Sequence, residues 1–165
     1  FDVMNKEFPL EYTKRNGIVF DVSHICDRDI DITDIELNKV KQDMFVAFYT
    51  GFIEKEGYGG TAYFTEHPQL SNQLIESLLE KKVSVIGIDF AGVRCGKDRV
   101  LKDQLCADRG VFIVENLCNL QTVFDAGGVC LIHTYPMNYA EMTGLPCRVI
   151  AEISHNSPLS MEWTG

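Results

Sequence analysis

From Val83 to Asp89 the chain reads Val-Ser-Val-Ile-Gly-Ile-Asp, a nearly continuous apolar run broken only by Ser84. A strand without polar alternation is buried on both faces, the condition of a parallel sheet covered by helices. Helical patterns flank it. Upstream, Ser71 can cap a helix whose Leu74, Ile75, Leu78 and Leu79 recur at helical spacing, with Lys81 and Lys82 at the end where cations complement the dipole. Downstream, a helix runs from Lys97 or Asp98 to Asp108, Gly110 serves as its left-handed stop, and Val111 to Val114 reads as a short strand. Gly17 to Val22, Asp43 to Tyr49 (stopped by Thr50-Gly51), Val129 to Ile132 and Arg148 to Ile153 supply further strands. Thr33-Asp34-Ile35-Glu36 has the form of a capping box, opening a short helix to about Lys41 with Ile35, Leu37 and Val40 on its apolar side. The charged, glycine-rich stretch from Glu54 to Gly60 reads as a loop. Alternating helices and strands predict an α/β fold with mixed sheet pairing. No repeat, linker or low-complexity tract divides the chain, so residues 1–165 read as one domain.

Composition narrows the partners. With 165 residues, 45% of them apolar, the chain can bury one sizeable core. A net charge of −9 and the lack of a basic patch argue against nucleic acid and anionic membrane surfaces, both polyanions. No apolar run approaches the roughly 20 residues of a membrane helix. The opening Phe1-Asp2-Val3-Met4-Asn5-Lys6-Glu7 lacks the basic-then-apolar order of a secretory signal. Six cysteines (Cys26, Cys95, Cys106, Cys118, Cys130, Cys147) are scattered without a Cys-x-x-Cys pair, several within apolar stretches. They read as small buried hydrophobes with free thiols, which fits a cytoplasmic setting.

Most local motifs for chemistry are absent. Gly92-Val93-Arg94-Cys95-Gly96-Lys97-Asp98 fails as a phosphate loop, because its glycines are too close and Asp98 stands where the metal-binding hydroxyl belongs. The four histidines (His24, His67, His133, His155) are too dispersed for a local metal motif. His24 follows a strand end and could point into a site; His67 precedes Pro68, and a structural role suits it better. There is no Gly-x-Ser-x-Gly elbow, and Cys118 has the acidic Glu115 nearby, which makes a thiol less reactive. Glu115 differs in kind. It closes the run Val111-Phe112-Ile113-Val114, and a carboxylate at a buried strand end needs a cation, a donor or a metal. On the residues alone, an ion pair and a metal are equally good partners.

Six pieces in order resemble the cyclase family of metal-dependent hydrolases, which includes bacterial kynurenine formamidase. They are Gly17-Ile18-Val19-Phe20-Asp21-Val22; Asp43 through Thr50-Gly51; Tyr63-Phe64 through His67-Pro68-Gln69-Leu70-Ser71; Ile86-Gly87-Ile88-Asp89; Val114-Glu115-Asn116-Leu117-Cys118-Asn119-Leu120; and Gly144-Leu145-Pro146-Cys147-Arg148-Val149-Ile150-Ala151. The family's first metal motif, His-x-x-x-His-x-Asp-x-Pro-x-x-His, is not in these residues. The spacing from Phe1-Asp2 to the first strand matches the family's spacing after that motif, so the resemblance implies that the motif lies upstream of residue 1.

The resemblance implies a swivelling β/β/α domain, a mixed sheet flanked by helices, assembled as a homodimer or homotetramer with a small-molecule substrate. It also implies a divalent metal, Zn or Mn, and hydrolysis of an amide, formamide or lactam C–N bond by metal-activated water. Glu115 maps onto the family's second-half glutamate. Asp103, twelve residues earlier, stands where the family has a histidine, and either binds the metal or merely solvates its helix. The shuttle histidine belongs to the upstream motif, so no catalytic residue is expected in this chain. Phe90 and Phe112 are candidates for pocket lining, with core positions the better reading. Asp103 also admits a different outcome, a family member that kept the fold as a binding or scaffold protein and lost the chemistry.

Overall fold

The computed structural model describes residues 8–139, 142 and 144–153. Six strands form one sheet: β1 (Lys14–Asp21), β2 (Phe45–Tyr49), β3 (Val85–Ile88), β4 (Phe112–Val114), β5 (Val129–Pro136) and β6 (Cys147–Glu152), in the order β4-β3-β2-β1-β5-β6. The first four pair in parallel, with Gly17 opposite Phe45, Phe45 opposite Val85 and Val85 opposite Phe112. The last two are antiparallel, Ile18 facing Val129 and His133 facing Ile150. Five helices connect them: α1 (Phe52–Glu56), α2 (Thr61–Thr65), α3 (Asn72–Glu80), α4 (Lys97–Asp108) and α5 (Leu120–Asp125).

The pleat sends alternate side chains to two cores. One face of the sheet packs Ile18, Phe20, Val46, Phe48, Ile86 and Ile88 against Leu74, Ile75, Leu78 and Leu79 of α3 and Cys106 of α4. The other packs Val19, Phe45, Ala47, Tyr49 and Val85 against Leu120 and Val123 of α5. Every residue of β2 and β3 is buried, as their unbroken apolar runs require.

Local chemistry explains most element ends. The Ser71 hydroxyl accepts from the Leu74 amide at 3.0 Å and starts α3. Gly110 follows α4 at φ +74°. Two expectations are corrected. Residues 35–41 do not form an α-helix from a Thr33–Glu36 box. The capping box is Asp31–Asp34, two residues earlier, and it opens the short 3-10 helix Ile32–Asp34, with a second such turn at Leu37–Lys39. Ser71, 40 residues further along, donates to Asp31 at 2.6 Å and nearby Arg28 forks onto Asp34 at 2.7 Å, so one long-range and one local partner select this box. The stretch from Glu54 to Gly60 is helical through Glu56, because left-handed Gly51 (φ +73°) turns the chain into α1 before the loop begins. The cysteines are free, as expected, but Cys26, Cys118 and Cys147 are exposed and Cys95 half-buried; only Cys106 and Cys130 lie in the cores. Among the described residues, no helix is long and apolar enough to cross a membrane.

Candidate functional site

In a parallel sheet all strands end on one edge, and their terminal residues converge there. β2 runs into Thr50-Gly51, β3 into Asp89 and β4 into Glu115. Asp89 is 1% exposed and accepts from the Thr50 amide (2.9 Å), the Thr50 hydroxyl (2.6 Å) and the Gly51 amide (2.7 Å). Burial pushes its pKa up, while those three donors pull it down. Asp89 is therefore a tie between the ends of β3 and β2.

Beyond Glu115 the chain must turn sharply. Asn116 and Asn119 both adopt left-handed backbone (φ +62° and +61°), which asparagine tolerates better than most side chains. Leu117 returns its amide to the Ile88 carbonyl at 3.0 Å and locks the turn to β3. The Glu-Asn-Leu-Cys-Asn-Leu stretch is thus a geometric device that leaves Glu115 at the strand edge.

Arg99, in the first turn of α4, meets Glu115 with Nη2 3.1 Å from Oε1 and 3.4 Å from Oε2. One helical turn later Asp103 sits with Oδ2 3.8 Å from Arg99 Nε. Arg99 can lie there because Gly92, at φ +81°, has no side chain; a Cβ would stand 2.8 Å from Nε. The structure therefore brings the two expected site residues together, with a guanidinium shared between them. The other oxygen of Asp103, Oδ1, is buried and lacks a hydrogen-bond partner. Burial and the charge of Glu115 push Asp103 up to about 6, against the pull of Arg99. The Tyr63 hydroxyl, on α2, is also buried without a partner, and burial and the Glu115 charge raise it to about 12.

Arg99 and Tyr63 were not among the expected site residues. Arg99 carries a readable signal, since a basic residue four before Asp103 shares its helix face. Tyr63 carries none beyond its place in the aromatic segment. His24 is exposed. Phe90 is fully buried in the core, and Phe112 packs edge-on against Phe8 at 5.0 Å, so the core reading holds for both. Phe1, Asp2 and His155 lie outside the described residues. Among the described residues no three His, Cys, Asp or Glu side chains converge as a closed metal set.

Residues 3–93 match the model of the family described as "Putative cyclase", more than half of the chain, and the chain belongs to that family. Asp103 and Glu115 lie beyond the matched stretch. No curated protein sequence matches the chain. Among solved structures, a potential metal-dependent hydrolase with cyclase activity is similar at 20% identity and TM-score 0.73, over 92% of this chain and 71% of that one. Isatin hydrolase A from Labrenzia aggregata, bound to benzyl benzoate, is similar at 19% identity and TM-score 0.76, over 92% of this chain and 66% of that one. A predicted metal-dependent hydrolase from Bacillus stearothermophilus is similar at 22% identity and TM-score 0.69, over 87% of this chain and 65% of that one. At such identities the likeness shows the fold, the six-stranded mixed sheet with flanking helices of this family. The chain spans about two thirds of the length of these structures.

Proposed function

We propose that this chain carries part of the active site of a metal-dependent hydrolase acting on an amide, formamide or lactam C–N bond. The observation that carries the reading is the uncompensated negative charge at the strand edge. Two carboxylates share one guanidinium, and one carboxylate oxygen is buried with no donor. Oxygen donors of this kind suit a divalent ion such as Zn²⁺ or Mn²⁺. Glu115 and Asp103 would hold one side of it, and two donors leave the remaining positions to groups outside this pair.

A divalent ion held there by Glu115 and Asp103 would lower the pKa of its water towards roughly 7 and polarise a substrate carbonyl. The chain's own residues do the positioning. Arg99 holds Glu115 in place, and the left-handed turn at Asn116 fixes where that carboxylate points. Tyr63 offers a buried hydroxyl to a polar substrate atom. The wider reading includes a homodimer or homotetramer in the cytoplasm.

A second reading, a family member that binds without catalysis, is favoured by one observation: Arg99 already gives Glu115 a cation. Metal analysis of the protein in its natural form separates the two. About one divalent ion per chain, with hydrolysis of N-formylkynurenine, isatin or a simple cyclic amide that a chelator abolishes, supports the hydrolase. No metal and no hydrolysis with either Zn²⁺ or Mn²⁺ supports the binding protein.

A further inference from the structure

We propose that Cys95 and His67 form a nucleophilic thiol site that takes carbon electrophiles conjugated to a carbonyl. Cys95 Sγ lies 3.0 Å from His67 Nε2, and His67 Nδ1 lies 2.7 Å from the Pro68 carbonyl oxygen. A carbonyl only accepts, so Nδ1 carries the ring proton, and Nε2 turns its lone pair to the thiol. This is the arrangement of a nucleophile, its base and a group that orients the base.

The pair is held from several sides. His67 is 4% exposed, and its ring stacks on Phe90, centroids 5.5 Å apart at 21°. The Cys95 amide donates to Gln69 Oε1 at 2.8 Å, and the Leu70 amide donates to the Val93 carbonyl at 3.1 Å. Arg94 is bound to Asp29 and to the Leu70 carbonyl. The loop after β3 and the segment before α3 are thereby fastened together, with the sulfur half-buried at their seam.

Burial keeps His67 below and Cys95 above its ordinary pKa, so at rest the proton sits on sulfur and the pair is neutral. Arg94 and Arg99 oppose the burial of the thiol and favour negative charge there. In the reaction the S–H proton passes to Nε2 as sulfur bonds the β-carbon of the electrophile. The carbon–carbon π pair moves onto the carbonyl oxygen as an enolate, and the imidazolium proton then goes to the α-carbon. Nothing leaves and no oxidant is needed. Among the described residues Cys95 is the one cysteine bonded to a histidine; Cys106 and Cys130 are buried and pushed up to about 12 and 11.

The test is competitive labelling of the whole chain with limiting acrylamide, rates read at each cysteine by peptide mass spectrometry. General-base help predicts that Cys95 reacts at least about tenfold faster than exposed Cys26 and Cys118. His67→Gln should slow Cys95 at least about tenfold while Cys26 and Cys118 keep their rates. Cys95 reacting no faster than Cys26 in the wild-type chain overturns the proposal. That ranking needs no variant, so it decides the matter even where His67→Gln does not fold.

Discussion

One guanidinium, that of Arg99, lies between the carboxylates of Glu115 and Asp103, so a negative charge is left over at that edge of the sheet. Asp103 bears the cost, since its pKa is raised to about 6. Between its unfolded value near 4 and that value, the folded protein keeps a proton that the unfolded chain loses, so stability falls as pH rises through this window. Asp103→Asn should therefore stabilise the protein above pH 6 and do nothing below about pH 4. Because the side chain is a third exposed, solvent screening brings the expected gain to about 1 kcal/mol. Urea unfolding at pH 7.5 and pH 4, with a chelator present, measures it; equal gains at both pH values would refute the assignment. Glu115 was legible in the sequence because a carboxylate closing an apolar strand is expensive unless something meets it. Asp103 was legible only through its spacing from Glu115. Arg99 is not legible in the same way, since a basic residue on an exposed helix normally faces water. Its role depends on the missing side chain of Gly92, which no periodicity reveals.

At the scale of elements, Asp89 shows how neighbouring strand ends are joined. Asp89→Ala strands two amides and a hydroxyl that now share one carboxylate, and should cost roughly 3 kcal/mol. Denaturant melts would show this, and a loss below 1 kcal/mol would mean that water replaces the carboxylate. Gly87 is a second strict position. A Cβ there would lie 2.4 Å from Phe45 Cε1 and 2.7 Å from Leu117 Cδ1, so Gly87→Ala should destabilise by about 2 kcal/mol, read in the same experiment. The strands and the long helices were readable because apolar periodicity and their caps agree with the packing around them. In residues 31–41 the sequence is ambiguous, because two candidate boxes lie two residues apart. Only the contacts from Ser71 and Arg28 choose between them, and the Ser71 contact joins positions 40 residues apart in the chain. The start of α1 is hidden for a similar reason: it depends on the left-handed turn at Gly51 and on Phe52 packing partly against the core, not on propensity.

For the whole molecule, the proposed function links metal binding to folding. An ion held at about a hundred times its Kd stabilises the native state by about 2.7 kcal/mol, which for a domain of this size raises the melting temperature by roughly 5 to 10 °C. The wild type should show that rise with Mn²⁺ or Zn²⁺, and Glu115→Gln should lose most of it in differential scanning calorimetry. Mixed pairing was foreseeable from alternating elements, but the place of each strand was not, because β1 and β5 read alike as apolar runs. In the folded protein β1 has β2 on one side and β5 on the other, although β5 lies more than a hundred residues further along the chain. During synthesis the parallel half can therefore assemble once residues up to Val114 have left the ribosome, while one flank of β1 waits, its backbone amides facing water, until Val129 to Pro136 arrive. That interval is when a chaperone has the most to hold.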